Sequence, residues 1–349
     1  QTINAGTLTI TKMSDSPSGD VVDTASNAVL AKFQFKAAGE KVKVENLIVS
    51  VVTSDTAVNS LRNGMVFANG VQIGSTTTLN AYAASESAST TTYNFGSSLI
   101  VAPGSPVTVE VRADIFDNDG TNSVNADDTL KARLEGASTN NNGTGLVSAT
   151  TLDIPAIDTD GNTLTVKTGA LTLSKYTAYT NQSVVPPLIK QKIGHFTLTA
   201  NTTEAVNVSS IEANLNNVVS TYASNLYVMF GSDTLTTKPT VAATNSWSVN
   251  YALKAGETKD LTVWADIKST ASGTGIVSTY VSGTTASSAT SVTAGTTGAY
   301  TTGTTGVQGQ NIVFTTGSFT PAADGTTPNA AIVAGGKEVT AGKFKYTAV

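Results

Sequence analysis

The sequence predicts an all-β fold of tandem β-sandwich domains with little or no helix. Three observations predict it. Apolar and polar residues alternate through most of the chain, as at Val107, Val109, Val111, Ala113 and Ile115. A period of two marks half-buried strands. A Gly-led strand followed by an aromatic-bearing strand recurs along the chain. Charged residues make up only 13%, about half the usual share, and Thr, Ser, Ala, Gly and Asn fill the gap. Thr suits exposed strand faces.

The recurring unit opens as Gly6-Thr-Leu-Thr-Ile-Thr-Lys12 followed by Ala31-Lys-Phe-Gln-Phe-Lys-Ala37. It returns as Gly169-Ala-Leu-Thr-Leu-Ser-Lys175 with Gly194-His-Phe-Thr-Leu-Thr-Ala200, and again as Gly317-Ser-Phe-Thr320 with Gly342-Lys-Phe-Lys-Tyr-Thr-Ala348. One step of 163 residues separates Gly6 from Gly169 and Phe33 from Phe196. One step of 148 separates Gly169 from Gly317 and Phe196 from Phe344. Two anchors per step mark a tandem array. The expected domains are residues 1–168, residues 169–316, and the first two strands of an incomplete third copy at 317–349.

Further segments fit this ruler. Val101-Ala-Pro-Gly104 matches Leu253-Lys-Ala-Gly256, and Val109-Glu-Val-Arg-Ala-Asp-Ile115 matches Leu261-Thr-Val-Trp-Ala-Asp-Ile267. Phe33, Phe35 and Ala37 share one strand face, as do Val42 and Val44. Asn69-Gly70 lies between two alternating runs and predicts a type I′ hairpin. Asp160-Gly161 is read as a second such turn. No helix of three turns is visible. Many short strands separated by turns read as immunoglobulin-like sandwiches. Each copy exceeds the roughly 100 residues usual for one, so segments 75–92 and 283–309 are expected to add loops or strands. Thr163–Thr168 runs straight into Gly169, and Gln310–Thr316 straight into Gly317. The absence of linkers predicts a stiff rod.

Composition also excludes. The net charge of −5 offers no basic face for a phosphate backbone. With no cysteine, thiol nucleophiles, thiolate metal sites and disulfides are out. With one histidine, His-based triads and metal sites are out as well. No run approaches the roughly 18 apolar residues of a membrane helix. Residues 1–30 lack the basic and apolar regions of a signal peptide, which reads as a processed or excised chain. No catalytic residue is assigned, and the expectation is a non-enzyme.

The candidate sites are few. His195 falls opposite Lys32 and Lys343 in the other copies, so an exposed, unremarkable histidine is expected. Asp117, Asp119, Asp127 and Asp128 lie in the acidic stretch 114–128. They could supply oxygen ligands to a structural calcium ion, or form a solvated loop. Asn142, Asn181, Asn201 and Asn207 match the glycosylation acceptor pattern, which permits glycans without requiring them. Trp247 is in phase with the core. Trp264 is out of phase and stands where copy one has Arg112. It is either an interface residue or covered by loop 283–309.

The pattern Gly-Thr-Leu-Thr, Ala-Lys-Phe-x-Phe-x-Ala, Gly-Glu-x-Val-x-Val and Val-x-Val-x-Ala-Asp-Ile resembles the tandem Ig-like modules of large prokaryotic cell-surface proteins. It is most similar to Thr-rich arrays in surface proteins of candidate-phylum bacteria and in S-layer-like proteins. The resemblance covers both full copies and the third fragment. It implies an exported, extracellular structural protein and carries no functional residue across. Two strands alone do not make a stable core. The third fragment is therefore expected to be continued by further chain or completed by another copy of the protein through strand addition. Thr2 and Ile3 stand where the last strand of a preceding domain would be and are the candidate donors. Phe344 and Tyr346 are the candidate acceptors. The alternative is an adhesin stalk or carbohydrate-binding surface protein.

Overall fold

The structure is a computed structural model and describes residues 5–216, 219–271, 276–283, 288–300, 306–326, 335 and 338–348. In the first repeat the Gly-led segment forms β1 (Thr7–Lys12), followed by β2 (Gly19–Val22) and the aromatic β3 (Ala28–Ala38). Next come β4 (Val42–Thr53), β5 (Ser60–Ala68), β6 (Val71–Ala83), β7 (Thr91–Val101) and β8 (Val107–Ala113). The repeat closes with β9 (Thr129–Leu134), three short pieces β10 (Gly143–Gly145), β11 (Thr151–Leu152) and β12 (Thr159–Asp160), and β13 (Leu164–Lys167).

Alternation decides which side chains go inside. Phe33, Phe35, Val109, Val111, Ala113 and Ile115 are fully buried, as are Val42 and Val44 from the opposing layer. One core of this kind runs from Leu30 to Val166. One sheet path, β1-β3-β8-β5-β6-β4-β9-β13-β2, links both layers. The strand that joins them is β6. It pairs antiparallel with β5, from Ala68↔Val71 to Ser60↔Asn80, and its last residues pair parallel with β4, from Val51↔Ala81 to Thr53↔Ala83. Segment 75–92 is therefore mostly strand. Its exposed threonines line the solvent face, while Leu79 and Ala81 reach the core.

Asn69 and Gly70 adopt φ of 48° and 80° between β5 and β6, the left-handed pair a type I′ turn needs. Asp160-Gly161 does not form a second such turn. Asp160 pairs with Arg133 across β12 and β9, and the Gly161 N–H donates to the Ala132 carbonyl at 2.8 Å. The glycine is needed there for close approach, since a Cβ would lie 2.8 Å from the Ala31 Cβ.

The second repeat contains β14 (Leu171–Lys175), β15 (Gln182–Val184), β16 (Leu188–Ala200) and β17 (Val206–Leu215). A single helical turn, α1 (Val219–Tyr222), is the one helix among the described residues. It leads into β18 (Ala223–Phe230), β19 (Asp233–Thr234), β20 (Ser246–Leu253) and β21 (Thr258–Ile267). Then follow β22 (Ile276–Ser282), β23 (Ala289–Ser291), β24 (Thr297–Gly298) and β25 (Val307–Phe314). Here the layers are separate sheets: β14-β16-β21-β18-β19, and β15-β25-β22-β17-β23-β24 with β20 beside β17. Their shared core runs from Leu171 to Phe314 and includes Trp247, whose Nε1 donates to the Thr236 carbonyl at 2.7 Å. Of segment 283–309, the described residues 288–300 join the β17 sheet through β23 and β24.

The second and last strands of each repeat meet in the same way. β13 runs parallel to β2, and β25 runs parallel to β15. The equivalent pairs Val166↔Val21 and Phe314↔Val184 hold the same place. Between the repeats, Thr24 Oγ1 donates to the Thr293 carbonyl and Thr203 Oγ1 to Asp20 Oδ2, both at 3.4 Å. The third segment is a lone hairpin, β26 (Phe319–Ala323) with β27 (Phe344–Ala348), in register from Phe319↔Ala348 to Ala323↔Phe344.

Candidate functional site

The β26–β27 hairpin carries an aromatic face with nothing packed on it among the described residues. Phe319, Phe344 and Tyr346 are 66%, 68% and 65% exposed. Phe319 and Tyr346 meet edge to face, with ring centroids 5.7 Å apart. The residues at the same repeat positions behave differently. Phe33 and Phe196 correspond to Phe344, Phe35 and Leu198 correspond to Tyr346, and all four are fully buried. In those repeats β8 and β21 flank the aromatic strand, with Phe33 opposite Val109 and Phe196 opposite Leu261. Phe344 and Tyr346 are thus brought together, with Phe319 as a third member. Thr2 and Ile3 lie outside the described residues.

Trp264 stands on the outer face of β21 and is half-buried. Directly opposite it on β18 is Tyr227. The rings are parallel within 7°, with centroids 6.2 Å apart, and Trp264 Nε1 donates to Thr262 Oγ1 at 2.9 Å. Copy one solves the same surface with a cation: the Arg112 guanidinium lies 4.2 Å from the Phe67 ring centroid and is paired with Glu110 at 2.5 Å.

The four aspartates are engaged separately. Asp117 is buried, and its oxygens accept the N–H groups of Ser123 and Asp119. Burial would push its carboxyl up, but hydrogen bonding with Asp119 and Ser123 outweighs that and holds it below its ordinary value. Asp119 accepts from Thr121 N at 2.9 Å, and Asp128 accepts from Asn125 N at 2.7 Å. Asp127, at φ 80°, pairs with Lys167. The loop closes on itself through its own amides. Among the described residues no three acidic or histidine side chains group as a metal site requires.

His195 is less exposed than its place in the repeat suggests. Its side chain is 12% exposed, its Nε2 lies 3.3 Å from Asp260 Oδ1, and the Tyr176 ring covers it at 4.1 Å. The cover is held by Gln310. That side chain is fully buried; its Nε2 donates to the carbonyls of Tyr176 and Tyr179, and its Oε1 accepts the His195 N–H. Sequence reasoning placed the strand but missed the strap, because nothing in the alternation marks residues 176–181 as folding back.

A second missed device explains the leading glycines. Glu40 accepts from Gly6 N at 2.9 Å, from the amides of Val147 and Ser148, and from Ser148 Oγ. Glu204 accepts from Gly169 N at 2.8 Å and from the amides of Thr293 and Ala294. A Cβ at Gly6 would lie 2.4 Å from Glu40 Cγ, and one at Gly169 2.8 Å from Glu204 Cγ. The first two repeats thus begin with a carboxylate clasp that a side chain at the glycine would crowd. The signal was present: both glutamates stand two residues before a core valine, Val42 and Val206.

No protein-family model matches the sequence, and no curated protein matches it. Among solved structures, the chain is similar to the C-terminal domain of the AgI/II polypeptide BspA of Streptococcus agalactiae, at 8% identity and a TM-score of 0.25, over 89% of this chain and 100% of that one. It is similar to a putative membrane-anchored protein from Corynebacterium diphtheriae, at 12% identity and a TM-score of 0.23, over 88% of this chain and 58% of that one. It is also similar to CfaE, the adhesive subunit of the CFA/I fimbria of enterotoxigenic Escherichia coli, at 10% identity and a TM-score of 0.22, over 88% and 86%. Likeness at this level carries nothing about function. No helix among the described residues is long and apolar enough to cross a membrane.

Proposed function

We propose that the chain is a structural subunit of a self-assembling extracellular polymer, a surface filament or an S-layer-like lattice, whose partners are copies of itself. The observation that carries this reading is the aromatic face of β26–β27. Three large side chains are about two-thirds exposed, and two of them, Phe344 and Tyr346, stand where the two preceding repeats have buried ones. Burying such a side chain is worth roughly 1.5–3 kcal/mol, so a partner that covers the face gains substantially. Strand addition would cover it, with Thr2 and Ile3 as one donor. The direct passage from β13 to β14 and the Thr-rich faces suit a stiff extracellular element.

The test is negative-stain imaging and sedimentation of the purified chain over a range of concentrations, with and without calcium. Regular filaments or sheets are expected, and loss of assembly on deleting residues 1–5 with the thermal unfolding transition intact. A monodisperse monomer at every concentration overturns the reading. A second reading, an adhesin stalk or carbohydrate-binding surface protein, draws on the half-exposed Trp264–Tyr227 pair. Saturable glycan binding that Trp264→Ala abolishes would favour it.

A further inference from the structure

Four asparagines match the glycosylation acceptor pattern, and the structure separates them. Asn142 is fully buried. Its Nδ2 donates to the carbonyls of Asn46 at 2.9 Å and Ile154 at 2.6 Å, and its Oδ1 accepts the Ile154 N–H at 2.8 Å. Asn201 is half-buried, and its Nδ2 donates to the Thr168 carbonyl at 2.9 Å and to Thr203 Oγ1 at 3.2 Å. Asn207 is half-buried on β17, between Ala252 of β20 and Thr290 of β23. Of the four, Asn181 alone is exposed, just before β15, and so is Ser183, the hydroxyl residue of its acceptor triplet. Asn181 Oδ1 accepts the Asn311 N–H at 2.9 Å. That bond fixes the side chain and leaves its Nδ2 without a protein partner among the described residues.

The position has a physical use. β2 and β15 are edge strands, and among the described residues β15 pairs only with β25. An unpaired edge invites pairing with another chain unless charge or bulk blunts it. Copy one blunts its edge with Asp20, exposed on β2 opposite Thr165. Ser183 holds the same place in copy two, opposite Val313. Residues 176–189 carry no charged side chain. Pro186 and Pro187 follow β15 and cannot extend the edge, but they leave Gln182–Val184 open. We infer that Asn181 carries an N-linked oligosaccharide that covers the β15 edge. The donor class is an oligosaccharide on a lipid diphosphate carrier. The bond from the sugar C1 to Asn181 Nδ2 forms, the bond from C1 to the carrier oxygen breaks, and one amide proton leaves with the carrier. The inference rests on the extracellular reading above, since this chemistry belongs to exported chains.

The probe is the oligosaccharyltransferase of a eukaryotic secretion host. The full chain is exported through it, and the folded product is mapped by peptide mass spectrometry. A glycan on Asn181 is expected. Ser183→Ala spares the Asn181–Asn311 hydrogen bond and lies outside the sandwich core. It should remove that glycan and keep the thermal transition, while Ser183→Thr should retain the glycan. A folded product bare at Asn181 overturns the inference. In sedimentation the glycan-free Ser183→Ala chain should associate more strongly than the glycosylated parent, and the equally glycan-free Ser183→Asp chain should not. Equal association of parent and Ser183→Ala overturns the covering of the edge. The same mapping on the chain from its own cells separates the two readings. A surface chain bare at Asn181 sinks the glycan and leaves the extracellular reading standing. A chain found only inside the cell sinks both.

Discussion

Glu40 shows how one residue fixes the start of a repeat. Its carboxyl is lowered from the ordinary 4.5 to about 2, first by the Ser148 hydroxyl and then by the amides of Ser148, Val147 and Gly6. A carboxylate depressed on folding contributes stability that is fully present above the unfolded value. That stability is lost as pH falls through the folded one. The clasp should therefore weaken between about pH 4.5 and 2. Glu40→Gln should lower stability at neutral pH and flatten the acid limb over that window, read as the urea midpoint at each pH. A variant whose acid limb matches the parent would remove the clasp from the account. The glutamates were legible as a repeated pattern but not as clasps, since their partners lie 107 and 108 residues away in one repeat and 89 and 90 in the other. Gln310 was illegible for the same reason: a buried amide in a strand declares itself only through the loop it pins.

Strands were the most legible elements. The faces read from Phe33, Val109 and Trp247 are the buried ones, because period-two alternation records directly which side meets the core. What alternation does not record is which sheet a long strand ends in, and so β6 could not be foreseen as the seam between layers. The out-of-phase Trp264 was legible as outward; its stacking on Tyr227 was not, since cross-strand register is set by pairing. Cross-strand aromatic pairs are worth roughly 0.2–1 kcal/mol. Trp264→Ala should therefore shift the unfolding midpoint only slightly. Trp247→Ala, in the core, should cost about 3–5 kcal/mol. Comparing the two by denaturant titration tests the outer-face placement, and equal losses would refute it.

At the scale of the whole molecule, the first two repeats are joined without a spacer, and among the described residues Thr24 and Thr203 make polar contacts across the seam. Burial at this seam pushes the Asp23 carboxyl up, partly offset by hydrogen bonds with Thr24 and Asn122, with Glu204 of the next repeat adding to the rise. The parallel pairing of each repeat's second and last strands has a further consequence under load. In copy one the chain enters through β1, which is paired with β3, continues into β2 and leaves through β13. Once β1 has come away from β3, a pull on the two ends draws the parallel β2 and β13 in opposite directions along their length. The four paired positions, Leu164↔Gly19 to Lys167↔Val22, are then strained together instead of peeling one after another. β25 and β15 repeat the arrangement in copy two. Single-molecule stretching should give two high-force unfolding events per chain, and Val21→Pro, which removes a ladder donor, should lower the force of one of them. A molecule without a single disulfide would thus resist tension through the direction in which these paired strands run.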